Sequence, residues 1–539
     1  MKRWNGWGRD DYHYALPDTA YDYLVNTVGK GVRAPDAALE ETLKTVPESR
    51  CPDHPLVSID PEDRLRHARG QSVPDWIAMR FGEFGAFPDG VAHPSTDEDV
   101  ADLLVYARRT GTRLIPYGGG SSVVGHVNPL MDGPPVVSVD MTGMDSLLDL
   151  DRKSWLAAIG AGASGPRVEE QLSENGFRLG HYPQSWEFST IGGWIATRSS
   201  GQQSYYYGRI EDTFAGGHME TLDGPMDIPP FPASAAGPDL RHLVLGSEGR
   251  LGIITNAVMR VRPLPQAEKF YGVFFPTWEK GQAALQQAVQ AGLPLSTMRL
   301  SNPMETETTL QLSGKEKLVS LAHTGLGLIG YGDERCLLIY GVTGTHRDVS
   351  RGRRAASSVF SKHSGFMPFE LIGKMWEKSR FTSPYLRNTL WDKGYVLDTF
   401  ETALPWRCVN DYTADVLEKV RSASEDAGVP LLIFAHLSHV YRDGASVYIT
   451  YLFPKLPTAE ENLEHWRKCK AASAEAIVAH SATISHQHGV GVDHAPYLEA
   501  EKGEVGMHIL RDLCRSMDPD GLLNPGKLLP ENENQRRHG

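Results

Sequence analysis

The sequence predicts an α+β protein: a two-part, glycine-rich binding domain is followed by an α/β cap domain with an antiparallel sheet, and then by a helical C-terminal segment. Three observations carry this. The chain has 539 residues, more than one hydrophobic core covers. Between Pro94 and Pro265 short strand-like runs alternate with capped helices and glycine loops, whereas from Lys269 the pattern becomes strand–helix units with antiparallel character. Residues 180–212 are too dense in glycine, hydroxyls and aromatics for a simple helix or strand, and such density marks a backbone that approaches something bulky. The expected division is an N-terminal extension over 1–88, a binding domain over 89–265, a cap or substrate domain over 266–480 and a C-terminal segment over 481–539.

Each element has a local cause. In the extension, 61–69 read as helical, the stretch is expected to wrap the next domain, and Trp4 and Trp7 read as packing anchors. Ser95 or Thr96 caps a helix that has Asp97 and Glu98 in its first turn, where the free N–H groups and the helix dipole favour acids. Val100, Leu103, Leu104 and Ala107 follow at helical spacing. Strands are expected at 112–116, 136–139, 155–159 and 251–261, and Gly165-Pro166 starts a helix because an early proline loses no hydrogen bond there. The cap should contain strands at 269–275, 295–300, 336–342, 430–436 and 446–453. Its helices should begin at Thr277 and cover 346–362, 409–427 and 459–479, with a last helix near 497–516.

Composition narrows the function. Lys plus Arg total 54 against 67 for Asp plus Glu, a net charge of −13, which disfavours nucleic acid as a partner. Five cysteines (Cys51, Cys336, Cys408, Cys469, Cys514) are far apart with no CxxC, so neither a zinc site nor a disulfide framework is expected and a reducing, cytoplasmic setting fits. Met1-Lys-Arg-Trp has no apolar leader segment, and Arg-Arg-His-Gly539 is not a peroxisomal address. No apolar run reaches the roughly 18 residues of a membrane span.

The motif Pro116-Tyr-Gly-Gly-Gly-Ser-Ser-Val-Val-Gly125 follows a strand. Consecutive glycines let successive N–H groups converge on one anion, and Ser121 and Ser122 add hydroxyl donors. It is neither GxGxxG nor a P-loop, since no lysine follows. Gly192 and Gly193 open a second close approach, flanked by the hydroxyls of Thr190, Thr197, Ser199 and Ser200.

The glycine loop, Ser189-Thr-Ile-Gly-Gly193 and Gly246-Ser-Glu-Gly-Arg-Leu-Gly-Ile-Ile254 occur in that order, and together they resemble the FAD-binding domain of the vanillyl-alcohol oxidase (PCMH-type) superfamily. Within it, Gly180-His-Tyr-Pro-Gln-Ser-Trp-Glu-Phe-Ser-Thr-Ile-Gly-Gly-Trp194, Tyr207-Gly-Arg-Ile-Glu-Asp212, Gly237-Pro-Asp239 and Ser485-His-Gln-His-Gly-Val-Gly491 resemble the alkyldihydroxyacetonephosphate synthases, from about residue 90 to 528. The resemblance implies non-covalently held FAD and exchange of the acyl chain of acyl-dihydroxyacetone phosphate for a fatty alcohol, without net redox change. It places Pro116, Gly118, Gly119, Gly120, Ser121 and Ser122 at the pyrophosphate. Gln184, Ser189, Thr190, Gly193, Trp194, Thr197 and Ser200 would run along the cofactor, with Glu248, Gly252, Ile253 and Ile254 beside the flavin. It implies catalytic roles for Tyr448, His486, His488 and Arg299, substrate contacts for Arg299, Gln487 and His436, and no metal. The C-terminal segment would return to the flavin site.

By residue type alone, Arg299 is suited to a phosphate or carboxylate, although a strand-end salt bridge is the commoner role for a lone arginine; the histidines are suited to proton transfer, and a strand tyrosine such as Tyr448 is more often a half-buried packing residue. Tyr451 falls on the opposite strand face. His436 and His439 stand three apart without further ligands for a metal. Three departures from the synthase pattern stand out. Gln487 replaces the middle of three successive histidines. Ala233 stands nearest an expected arginine whose loss would remove a positive charge near the flavin. His126 replaces a glycine, and is expected to point to solvent rather than touch the pyrophosphate. These departures keep open an FAD-dependent dehydrogenase or oxidase of a 2-hydroxy acid or other polar alcohol. A small-molecule or lipid-like substrate, at most peripheral membrane contact and a homodimer complete the expectation.

Overall fold

The computed structural model describes residues 2–33, 36–312, 314 and 325–530. The end of the expected C-terminal segment, with the terminal Arg-Arg-His-Gly539, lies outside the described residues.

The binding region contains two sheets. The first places Val57–Ser58, Gly90–Ala92, Val136–Asp140 and Arg113–Tyr117 side by side; the last three run parallel. Helix Asp97–Thr110 starts at Thr96, whose hydroxyl accepts from Asp99 N while the Asp99 carboxylate accepts from Thr96 N, and it ends at left-handed Gly111. The second sheet is antiparallel, in the order Leu147–Asp151, Leu156–Gly160, Ile253–Arg260, Phe214–Thr221, Gly224–Ile228. The strand pair 214–228 was not expected. Phe214-Ala-Gly-Gly-His carries two glycines and is buried at its start and end on both faces, so it shows no alternation to read.

The cap is one seven-stranded sheet in the order Phe366–Phe369, Ala267–Phe275, Cys336–Gly344, Thr297–Ser301, Leu432–Val440, Gly444–Pro454, Tyr395–Pro405. Every pairing is antiparallel. The last strand also escaped the sequence reading, although it pairs with Gly444–Pro454 over its whole length. Helices Trp278–Gln290, His346–Lys362, Val409–Glu425 and Ala459–Ala479 back the sheet with buried faces such as Val409, Tyr412, Val416 and Val420. The opposite face looks toward the glycine loops.

The N-terminal segment binds both halves. Leu24 and Val28, on helix Asp18–Val28, pack against Leu390, Tyr395, Leu432 and Leu452 of the cap. Trp76, on helix Val73–Phe81, is fully buried. Among the described residues no helix is long and apolar enough to cross a membrane.

Candidate active site

Strand Arg113–Tyr117 delivers the chain into Gly118-Gly-Gly120 at the edge of a cavity of about 810 Å³. Glycine is required here by space. A Cβ on Gly119 would overlap the Phe188 carbonyl, one on Gly118 would strike Thr190 Oγ1, and Gly120 is left-handed at φ +65° against the Tyr117 ring. Thr190 caps helix Ile191–Ala196, accepting from Gly193 N at 3.4 Å. At Gly193 a Cβ would meet nothing but Thr190 Oγ1, at 3.4 Å. The backbone is therefore bare toward the cavity.

All seventeen residues that the resemblance assigned to the cofactor line this cavity: Pro116, Gly118, Gly119, Gly120, Ser121, Ser122, Gln184, Ser189, Thr190, Gly193, Trp194, Thr197, Ser200, Glu248, Gly252, Ile253 and Ile254. They do so in different ways. Trp194 spends its indole N–H on Ser189 Oγ at 2.8 Å. Glu248 uses its carboxylate to dock the C-terminal loop, accepting from Val490 N at 2.5 Å and Gly491 N at 2.9 Å. His126 is buried, contrary to the expectation that it points to solvent. It lies on the cavity wall, with Nδ1 2.8 Å from Ser122 Oγ and Nε2 3.1 Å from Glu248 Oε1, because Ser122 draws the ring inward and Gly489 of the returning C-terminal loop packs over it.

The cap sheet supplies the opposing wall. Antiparallel register aligns Ser301, His436, Tyr448 and Glu401 as one cross-strand row. Arg299 joins it through Nη2, 3.2 Å from His436 Nδ1 and 2.7 Å from Glu305 Oε1. The His436 and Tyr448 rings stack at 4.7 Å, His488 meets Tyr448 edge-on at 5.9 Å, and Tyr448 Oη donates to Gln184 Oε1 at 3.3 Å. Two residues further along the strands lie Phe434, Thr450 and Thr399; two more bring Leu432, Leu452 and Leu397. All six line the cavity. At about 3.3 Å per residue the leucine row stands ~13 Å from the polar row. One sheet face thus changes from charged to apolar. A second apolar surface comes from Leu310, Leu337, Ile339, Ile372 and Trp376.

Electrostatics sort the titratable groups. Burial alone would raise Glu305, but Arg299 and His436 outweigh it and hold the carboxyl at about 2. Burial is likewise overcome at Glu401, which His486, His439 and His488 keep well below the usual carboxylate range. Desolvation pulls His488 down to about 4 and His439 to about 3, and it lowers His436 too, because a buried imidazole resists charge. The Tyr448 hydroxyl is raised by burial.

Of the predicted catalytic and substrate residues, Tyr448, His488, Arg299, Gln487 and His436 line the cavity. His486 is set apart. Its Nε2 lies 2.6 Å from Tyr441 Oη and 2.9 Å from Arg209 Nη1, and its Nδ1 lies 3.2 Å from Glu401 Oε1, so it turns behind the wall that Gln487 and His488 form. Gln487 donates to Glu401 Oε2 at 2.5 Å. Ala233 lies on an exposed stretch, and no residue from 229 to 243 lines the cavity. The departure there removes no charge from this wall.

Sequence reasoning missed Glu401, Glu305, Arg387, Arg209 and the lining role of Trp7. Arg387 lines the cavity, donates through Nη1 to Gln71 O and lies over the Trp76 ring at 4.5 Å. Glu401, acidic and in mid-strand, was the available signal, since an unpaired buried carboxylate is untenable. Glu401, His439 and His486 also bring three ligand atoms within 4.8 Å of one another, the one such group among the described residues. Arg209 and Gln487 already engage it.

The cradle fits a dinucleotide: Gly118–Ser122 line the cavity with backbone that carries no side chain at three successive positions, and the bare backbone at Gly193 leaves room for a flat ring. Residues 88–226 match the family described as FAD binding domain, and 264–528 that described as FAD linked oxidases, C-terminal domain. The alkyldihydroxyacetonephosphate synthase of Dictyostelium discoideum is 34% identical over 87% of this chain and 77% of its own length. That of Trypanosoma brucei brucei is 28% identical over 98% of this chain and 92% of its own. A solved alkyldihydroxyacetonephosphate synthase superposes with a TM-score of 0.83 at 28% identity, covering 97% of this chain and 98% of that one. The chain is an FAD-dependent enzyme and belongs to the alkyldihydroxyacetonephosphate synthase family.

Proposed function

We propose that the protein exchanges the acyl group of an acyl-dihydroxyacetone phosphate for a fatty alcohol, forming an ether lipid precursor. The observation that carries this is the graded face of the cap sheet, with a row of arginine, histidine and tyrosine giving way ~13 Å further on to leucines in the same cavity. A phosphate-bearing head with a long aliphatic tail has that polarity, whereas a small 2-hydroxy acid leaves the leucine rows without a partner.

When bound, FAD supplies an electron-accepting ring against which the reacting carbon is held. Gly118–Ser122 would hold its diphosphate, with Gln184, Thr190, Thr197 and Ser200 along its length. Arg299 and Arg387, both facing the cavity, bind the substrate phosphate, and Gln487 adds a neutral amide where related synthases have histidine. Tyr448 Oη manages the C1 proton. Burial keeps this hydroxyl protonated at neutral pH, so it accepts a proton only by handing its own on. We assign the base that takes this proton to His488, which is held neutral with a pKa near 4 and meets the Tyr448 ring edge-on at 5.9 Å, once the hydroxyl leaves Gln184 Oε1. The apolar rows hold the chains and exclude water. His486 acts from behind, bracing Glu401 and Gln487. Cytoplasmic location, peripheral membrane contact and a homodimer belong to the same reading, to be checked by fractionation and light scattering.

The deciding experiment is incorporation of labelled hexadecanol into acyl-dihydroxyacetone phosphate without oxygen consumption. Flavin bleaching by a 2-hydroxy acid under anaerobic conditions, with no incorporation, would replace the transferase reading by a dehydrogenase.

A further inference from the structure

The C-terminal loop that carries Gln487 and His488 has to meet the cofactor wall, and one side chain spans the two. Arg209 stands at the start of helix Ile210–Thr213, where its backbone N–H donates to Asp212 Oδ2 at 2.9 Å and Ile210 N donates to Ser199 O at 3.3 Å. It is thereby tied to a stretch that lines the cavity through Thr197, Ser199 and Ser200. Its guanidinium then reaches both sides. Nη2 donates to Arg198 O at 3.2 Å, in that same stretch, and to His486 O at 3.0 Å, next to Gln487. A rigid planar fork holds two carbonyls at one separation, which the single point charge of a lysine cannot do.

The other arm of the fork acts on the His486 ring. Arg209 Nη1 lies 2.9 Å from His486 Nε2 and donates to Tyr441 Oη at 3.1 Å, and Tyr441 Oη lies 2.6 Å from the same ring nitrogen. Arginine has donors and no acceptor, so it presents a proton to Nε2. Tyr441 Oη, already accepting from Nη1, turns its own proton the same way. With both neighbours donating, Nε2 keeps its lone pair and the ring proton belongs on Nδ1, since the partner of one imidazole nitrogen decides the state of the other. Nδ1 faces Glu401 Oε1 at 3.2 Å, on the carboxylate that accepts from Gln487. The His486 side chain is 2% exposed, so water does not compete for these positions. Glu211 Oε1, 3.4 Å from Arg209 Nε, supplies the countercharge.

We propose that Arg209 is a positioning residue with two effects. It sets the separation between the cofactor wall and residues 486–488, and it locks His486 as the Nδ1–H tautomer, which confines proton transfer in the cavity to Tyr448 and His488. The consequence for proton transfer rests on the proposed function; the tautomer does not.

The test uses the full chain loaded with FAD and labelled with nitrogen-15 in its histidine rings, the His486 signals being those lost in His486→Gln. At neutral pH wild-type His486 should show a protonated Nδ1 and a bare Nε2. Arg209→Met removes both the donor and the cation, leaving the ring between Tyr441 and the Glu401 carboxylate, so Nε2 should gain a proton. Its kcat for incorporation of labelled hexadecanol should fall about 10–100-fold, the effect of an ångström of drift at the reacting groups, with KM little changed. Tyr441→Phe keeps Arg209 and should leave Nε2 bare, which separates the guanidinium from the hydroxyl even where Arg209→Met does not fold. A proton on Nε2 in wild type or in Tyr441→Phe overturns the proposal, as does an Arg209→Met protein whose His486 spectrum or kcat matches wild type. Wild-type protein that makes no ether sinks the proposed function instead, and the spectra still decide what Arg209 does to His486.

Discussion

The cofactor wall and the cap wall face each other across one cavity, yet they are assembled in opposite ways. The cofactor wall is made of contiguous stretches, 116–122, 184–200 and 247–254, whose contribution is mostly backbone: bare amides and the absence of Cβ atoms. The cap wall is made of single side chains, one or two per strand, brought into a row by register across Thr297–Ser301, Leu432–Val440, Gly444–Pro454 and Tyr395–Pro405. Here charge is organised at buried carboxylates, Glu305 paired with Arg299 and Glu401 set 3.2 Å from His486 Nδ1. The first wall should fail through shape, the second through chemistry and charge balance.

That contrast can be broken most sharply at Tyr448. Tyr448→Phe should lower kcat by about 10²–10⁴-fold, the usual worth of a positioned proton-transfer group, while FAD titration stays at the wild-type value; a parallel loss of FAD would merge the two walls. Gly119→Ala should do the reverse. The added methyl overlaps the Phe188 carbonyl, so the purified protein should lose its yellow colour, or bind FAD at least tenfold more weakly, by absorbance after gel filtration.

Charge balance comes next. Glu401→Gln removes the buried carboxylate that accepts from Gln487 and lies near Arg209, and losing a charge-assisted hydrogen bond of this kind costs about 1.5–3 kcal/mol, to be read from urea unfolding. The smallest effect is in pH. His488 and His439 have folded pKa values of about 4 and 3 against an unfolded 6.5, so between those values the unfolded chain binds more protons. Their stabilising contribution is complete above pH 6.5 and is lost as pH falls toward 4. The melting temperature should therefore drop over that window, and His488→Gln should flatten the slope. An unchanged slope would mean that His488 is not the buried, neutral group on which the proton transfer depends.

The difference in construction also explains what could be read beforehand. The glycine cradle was legible because its causes are adjacent in sequence: a strand, three glycines, two serines, and a capped helix whose N-cap, Thr190, is itself part of the wall. Helices such as Ala459–Ala479, with Thr458 and Glu461 as its cap, were legible for the same reason. The strand pair 214–228 was hidden by burial on both faces, and Tyr395–Pro405 by an irregular pattern of burial along its length. With that last strand went Glu401, and with Glu401 the reason why His486 turns away from the cavity while Gln487 and His488 face it. His126 was misplaced because Glu248 and Gly489, which enclose it, are distant in sequence and meet it only in the folded chain.

By itself the sequence determined the anion-binding cradle: short-range spacing of glycines and hydroxyls dictates where a backbone must stay bare, and that constraint survives any arrangement of the distant chain; that the cradle serves FAD was implied by the family resemblance and not by the spacing. Which charges meet was decided by the tertiary structure alone. Tyr448 and Gln184 are 264 residues apart, and Trp7 and Asn388 381. A one-residue slip in any cap strand would have turned the same side chains to the opposite face.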